Sequence, residues 1–465
     1  MTDARLATAT SDELSPALDQ SDRPRYHALD ALRAWAMFLG IVLHAALPYV
    51  TNMDRTNWGF VDPSQDATLD SVTQWIHAYR MELFYMISGF FGCMVISYRG
   101  HRYFIQQRVK KLLIPFVVCL PMSLIAIEAA VVYHESTYYG YRAGESVLEA
   151  LFNTLVSPEY RSRFAPSSDG GGVGTTHLWF LYYLMMFAVT NGLVASVSWR
   201  PSVVAAWRRL VGIADWILAS PWRILLPSLA MIPLVPYAKW VRVNEAPTNL
   251  VPHLRYYTYY GFAYLSGYLL YANRHRLETL KTKWGWYAVI SAVGMAGIML
   301  RSWIHPVFHM DTQNGARRGF ALGQANPETE FATAVQEFAF PPLHAFADQP
   351  ASVAQADLWI WVPPLCVTLT MLASCLALFG IFLRFFNRPS SRVRYWSDSA
   401  YFLYIFHLPV TMWIPSLLLP LPWHGVIKFA LTTAITTAVG LFLYEYCVRY
   451  TFIGTQLNGT RSRAS

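Results

Sequence analysis

Apolar residues run along this chain in blocks of about twenty, and the charges gather between the blocks. A helix of that length crosses a bilayer core of about 30 Å. Ten such blocks can be read, at 30–51, 75–98, 112–134, 177–197, 222–239, 254–272, 284–304, 357–383, 400–420 and 424–446. Several contain Pro or Gly, which a packed bundle tolerates because neighbouring helices satisfy the freed backbone groups. The predicted fold is therefore all-α, a polytopic membrane bundle of ten transmembrane helices over residues 29–448. A polar tail (1–28) precedes it and a short tail (449–465) follows. No internal repeat emerges when the spans are read against one another.

The bases between the blocks set an orientation. With the N-terminus cytoplasmic, 23 of the 36 Lys and Arg fall on the cytoplasmic side, ten on the other, and Arg33, Arg80 and Lys428 within spans. An excess above two to one follows the positive-inside rule and predicts both termini in the cytoplasm of a multi-pass inner-membrane protein. Two long outer loops, 135–176 and 305–356, are suited either to act as lids and acceptor surfaces or to serve as plain connectors. The first 25 residues carry five acids and no apolar core, so they do not read as a signal peptide, and the first span must direct insertion.

Composition agrees. The 465 residues are 54% hydrophobic and 14% charged, where a soluble domain carries about a quarter charged. The net charge of +8 is explained by short-loop bases, so the expected partner is the lipid bilayer and not a nucleic acid. Cys93, Cys119, Cys366, Cys375 and Cys447 lie in or beside apolar runs at no metal-ligand spacing, so neither a metal site nor a disulfide framework is expected. The signatures of serine hydrolases, zinc proteases and ATP-driven enzymes are missing.

Ionisable groups within spans cost roughly 2.5–3.5 kcal/mol each on the mildest scale and so need a reason. In the first span Arg33 and His44 stand eleven residues apart, which is three turns plus about 20°. They therefore share a face, with Ala36, Met37 and Gly40 between them and His44 about 16 Å further along the axis. Asp30 precedes Arg33 at ion-pair spacing. In the second span Arg80 and Glu82 lie about 200° apart and must meet different neighbours, while Ser88, Gly89 and Gly92 make a close-packing face. Arg108, Lys110 and Lys111 cluster at the cytoplasmic end of the third span, where topology places bases regardless of function. His177 and Trp179 open the fourth span, and Tyr404 and His407 share a face of the ninth ahead of Pro409. Taken singly, Arg33, His44 and the three bases suit a structural role, and packing explains Ser88 and Gly89, but packing does not explain Arg80 and Glu82. Glu128, Lys428 and Glu445 are in-span charges with no evident partner.

Taken together these landmarks resemble the type-3 membrane acyltransferases, and within them a branch of periplasmic-glucan succinyltransferases. The resemblance is carried by Arg33 and His44 with ten residues between them, Arg80-Met-Glu-Leu-Phe-Tyr-Met-Ile-Ser88-Gly89, Arg108-Val-Lys-Lys-Leu-Leu-Ile-Pro115, His177-Leu-Trp179, Tyr404-Ile-Phe-His407-Leu-Pro409 and Leu443-Tyr444-Glu445, in order along the chain. One position departs: the family's cytoplasmic Arg-x-x-Arg is here Arg108-x-x-Lys111, which keeps the charge and loses the guanidinium fork. The resemblance implies an acyl-CoA co-substrate (succinyl-CoA or acetyl-CoA), no permanently bound cofactor, and a glycan hydroxyl as acceptor. On that reading Arg108, Lys110 and Lys111 hold coenzyme A, His44 is the general base or a covalent acyl carrier, and Arg33, oriented by Asp30, binds the donor or stabilises the oxyanion. Arg80, Glu82, Ser88, His177, Trp179, Tyr404 and His407 are further candidates for the site. A saccharide transporter or flippase is the rival reading, although paired halves with interrupted helices are not seen. A signalling or scaffold protein would leave the Arg33–His44 face without a task.

Overall fold

The computed structural model describes residues 26–51, 58–158, 160, 174–197, 200–235, 246–248, 250–304, 362–452 and 454–455. Among them the protein is helical and contains no strand. The helices are α1 (His27–Ala46), α2 (Ala67–Arg108), α3 (Ile114–Tyr139), α4 (Val147–Val156), α5 (Trp179–Ser196), α6 (Pro201–Ala219), α7 (Leu225–Met231), α8 (Leu254–Ala272), α9 (Leu277–Ile304), α10 (Val362–Phe385), α11 (Ser391–Leu418) and α12 (Gly425–Leu443). The predicted outer loop 305–356 lies outside the described residues, as do most of both tails.

Six helical segments are long and apolar enough to cross a membrane by length and composition: His27–Tyr49, Ala67–Tyr139, Thr176–Ser196, Pro364–Phe385, Ser391–Leu418 and Gly425–Val448. The second accommodates two predicted spans. Gly100, at φ 76°, bends α2, and a π-turn (Val109–Leu113) leads into α3. The helices α8 and α9 occupy 254–272 and 284–304 as predicted but are less apolar, α8 being rich in tyrosine. The block at 222–239 differs from expectation. It forms the short α7 and then a 3₁₀ turn, Ile232–Leu234, where Pro233 supplies no backbone N–H to continue the helix. The expected outer loop 135–176 is partly helical: α3 runs on to Tyr139, and α4 starts at a capping box between Ser146 and Glu149.

Side-chain pairings give the helix directions. Tyr85 donates to the Phe180 carbonyl at one end and Gly92 lies beside Asn191 at the other, so α2 and α5 run parallel. Tyr85 on Tyr260 and Phe90 on Tyr271 make α2 and α8 parallel as well. Tyr401 donates to the Lys111 carbonyl and His134 meets Ser416, so α3 and α11 are parallel. Ser291–Ser374 with Trp284 beside Gly380 makes α9 and α10 antiparallel. Since α5 and α8 both run with α2, the chain must return across the bundle between them, in the stretch that holds α6 and α7. Contacts between α2 and α8 are close enough to require glycine. A Cβ at Gly89 would collide with the Tyr264 carbonyl, and one at Gly267 with the Met86 carbonyl.

Candidate active site

Where α1 ends and α2 begins, the bundle encloses a cavity of about 50 Å³ lined by His44, His77, Arg80, Met81, His177, Trp179, Ala246, Tyr260, Tyr404 and His407. At about 10–15 Å³ per water it has room for roughly three to five, enough for a reacting centre and not for a whole substrate. No carboxylate is among these lining residues.

Four imidazoles line the cavity, and three of them meet ring to ring. His407 lies 5.1 Å from His44 and 5.2 Å from His177, ring centre to ring centre. The His407 Nδ1 faces two carbonyls of its own helix, Tyr404 at 2.6 Å and Leu403 at 3.1 Å. Carbonyls only accept, so Nδ1 carries the hydrogen and the Nε2 lone pair is free. That Nε2 is buried and has no protein partner. His177 is engaged on both sides. Its Nε2 donates to the Ile405 carbonyl at 3.0 Å, and its Nδ1 is 3.4 Å from the Thr176 hydroxyl. Pro409 accounts for the first bond: it has no N–H to offer the carbonyl four residues back, which is Ile405. Tyr404 secures the same junction by donating its hydroxyl to the His177 carbonyl at 2.6 Å. His44 stacks on Trp58 at 5.5 Å and 12°, and its buried Nδ1 has no partner.

Arg80 completes the cavity. Its guanidinium lies over Gly40, where a Cβ would stand 2.7 Å from Nη1 and 3.7 Å from the His407 Nε2. The small residues between Arg33 and His44 thus make room for a side chain of α2. Arg80 is buried, makes only a weak 3.4 Å contact from Nη2 to the Met81 sulfur, and leaves Nε unpartnered. Among the described residues no carboxylate stands within ion-pair distance of it, and Glu82 attracts it only from further away. A buried cation costs several kcal/mol unless compensated, so the cavity is suited to an anion or to developing negative charge. Glu82, two residues on, is fully buried on another face against Tyr259. Ser88 does not line the cavity; it adjoins Gly89 at the crossing with α8.

The opposite end of α1 is basic. Arg33 donates to Ser397 of α11 at 2.9 Å and is 3.5 Å from Asp30. Arg108 lies within electrostatic reach of Arg33, Tyr264 and Tyr401, and Lys111 within reach of Arg108, Arg33 and Asp398. Lys110 is exposed in the same π-turn. Arg33, Arg108 and Lys111 thus gather with Asp30 and Asp398 nearby, and the rise of α1 separates the cluster from His44 by about 16 Å.

Residues 58–62, between α1 and α2, reach the site and its surroundings. Trp58 stacks on His44, Phe60 stacks on His134 at 4.5 Å, and Asp62 pairs with Lys428 of α12 at 2.8 Å with both groups buried. Lys428 also donates to the Leu419 carbonyl at 3.3 Å. The in-span lysine thus has its counter-ion in a loop, and Glu445 has one in Arg449 at 2.7 Å. Sequence reading singled out neither Trp58 nor Asp62. An in-span lysine calls for an acid, which was the signal for Asp62, whereas no local signal marks Trp58.

Comparison with known proteins follows the same lines. The Acyltransferase domain family (acyltransferase type 3) matches residues 26–445. Glucans biosynthesis protein C of Salmonella gallinarum is 23% identical over 429 residues, and that of Salmonella typhi 22% over 436 residues, each match covering 92% of both chains. No solved structure matches the chain. With that family spanning nearly its whole length and helices suited to repeated membrane crossing, the chain belongs to the type-3 membrane acyltransferases.

Proposed function

We propose that this protein is an inner-membrane O-acyltransferase that moves a succinyl or acetyl group from cytoplasmic acyl-CoA to a hydroxyl of a periplasmic glycan. It crosses the membrane ten times with both termini in the cytoplasm. The alternation of helix directions supports that topology, as does the return passage needed between α5 and α8. The observation that carries the function is the pairing of two unlike sites along α1: a basic cluster at one end, and at the other a cavity holding two available imidazoles and an unpaired arginine. Arg33, Arg108 and Lys111, with Lys110 at the surface, are suited to the phosphates of coenzyme A. His44 and its neighbours are suited to the proton transfers at the acceptor hydroxyl. Arg80, beside them, is better placed than the distant Arg33 to stabilise an oxyanion. Glycan modification is supported by the names of the relatives, Glucans biosynthesis protein C.

The test is release of free coenzyme A by the purified protein in lipid nanodiscs. Acetyl- and succinyl-CoA are offered with and without a glucan, beside His44→Ala. Glucan-dependent ester formation that disappears in the variant supports the reading, and the preferred thioester names the donor. A correctly inserted His44→Ala protein with normal turnover removes His44 from the chemistry. A wild-type protein inactive with every pair removes the acyltransferase reading and leaves the saccharide transporter in its place.

A further inference from the structure

The acceptor half of the site shows a division of labour between two imidazoles. From the geometry we infer that His407 is the catalytic base for the acceptor hydroxyl and that His44 is the nucleophile that carries the acyl group between two displacements. The inference rests on the acyltransferase reading above and assigns its individual steps.

The assignment begins with proton acceptors. With no carboxylate lining the cavity, an imidazole must take the proton. Of the four lining imidazoles, His77 is related to the others through its electrostatic interaction with His44, and His177 is spent: Nε2–H is held by the Ile405 carbonyl and Nδ1 faces Thr176. His407 is held in one tautomer by the two carbonyls at its Nδ1, which leaves a buried, unpartnered Nε2 lone pair pointing toward Gly40 and Arg80. A fixed tautomer with its lone pair toward the reaction space is what a general base requires. His44 is different. Its ring plane is set by stacking on Trp58 and its Nδ1 has no partner, so no observed bond commits that nitrogen to a single proton state. One pinned base and one unpinned imidazole 5.1 Å away fit two tasks better than one.

The steps balance as follows. A His44 ring nitrogen adds to the thioester carbonyl; the C–N bond forms, the C–S bond breaks, and the ring's other proton leaves with the thiolate as free thiol. The acceptor hydroxyl then adds to the acyl carbon while its proton passes to the His407 Nε2. The C–O bond forms, the C–N bond breaks, and His407 returns the proton to His44. Arg80 faces the carbonyl oxygen in both tetrahedral intermediates. The sum is thioester plus alcohol giving ester plus thiol.

The decisive variant is His407→Asn, because the asparagine amide can still donate to the Tyr404 carbonyl while the Nε2 lone pair is gone. Radiolabelled acyl-CoA is mixed with nanodisc-embedded protein in single-turnover format, without and then with glucan. Wild-type protein and His407→Asn are expected to release up to one equivalent of coenzyme A per site before glucan is added, with label retained on a peptide containing His44. Transfer to glucan is expected to fall about 10²–10⁴-fold in His407→Asn, and His44→Ala is expected to do neither. Normal glucan transfer by His407→Asn overturns the base assignment. Active wild-type protein that releases coenzyme A only in the presence of glucan, with no labelled His44, overturns the carrier assignment. Wild-type protein that forms no ester under any condition defeats the acyltransferase reading itself, and this proposal with it.

Discussion

Arg33 touches Ser397 and His44 touches His407 because α1 and α11 run in the same direction with their faces in register. Two helices from opposite ends of the chain are thus matched at both ends of a stretch of about 16 Å. The match places the basic cluster and the imidazole cavity on one continuous seam. Neither helix alone contains the site: α1 brings one imidazole, α11 another, and Arg80 of α2 fills the gap that Gly40 leaves between them.

Gly40 and Arg80 are therefore coupled. In Gly40→Ala the new methyl group must displace the guanidinium, since it would lie 2.7 Å from Nη1, while the helix itself gains from losing a glycine. The expected outcome is a protein of near-normal thermal stability whose acyl transfer falls at least tenfold, with Arg80→Met falling further, by about 10²–10³ in kcat. Steady-state kinetics in nanodiscs read both, and wild-type kcat in either variant removes Arg80 from the chemistry.

The Asp62–Lys428 pair holds the segment that carries Trp58. Removing one partner from a buried pair costs about 3–5 kcal/mol, because the other charge is left uncompensated. Lys428→Met is expected to lose that much in denaturant unfolding, and the double variant Asp62→Leu/Lys428→Met is expected to recover most of it. A single variant as stable as wild type would show that the pair does not hold the segment.

Two glycines make a matched contrast. Gly267→Ala drives a methyl group into the Met86 carbonyl at the crossing of α2 and α8, whereas Gly212 of α6 has nothing within 4 Å. The first substitution is expected to cost about 1–3 kcal/mol or more, and the second to be neutral or slightly stabilising. Melting curves of the two variants check this, and equal effects would contradict the close approach of α2 to α8.

Asp215 ties α6 to the loop after α8. It accepts from Arg276 at both oxygens, each 2.7 Å, and from His275 at 2.8 Å. The Arg276 hydrogen bond is the first cause that holds the Asp215 carboxyl down to about 2 from its ordinary 3.8. A depressed folded pKa contributes stability that is complete above the unfolded value and is lost as pH falls through the folded one. Docking of α6 should therefore weaken between about pH 4 and pH 2. Amide exchange over 201–219, corrected for its intrinsic pH dependence, is expected to rise in that window. In Asp215→Asn it should already be fast at neutral pH and show no such step.

Sequence alone determined the elements that depend on local chemistry. The apolar blocks mark most of the helices because twenty apolar residues leave a helix as the available way to satisfy the backbone in lipid. Arg33 and His44 share a face because that follows from helical pitch, and the separation of Arg80 from Glu82 follows likewise. Within the block at 222–239 the regular helix ends early, at Met231, because an apolar run does not register what Pro233 does to a short helix. Tertiary structure decided everything that depends on how helices are rotated and aligned with one another. It set Arg80 over Gly40, bound His177 to the carbonyl released by Pro409, gave Lys428 its acid in a distant loop, and turned His407 so that its free nitrogen faces the cavity. Those contacts join residues far apart in sequence, and no local pattern of apolar and polar positions specifies the angle at which two helices meet.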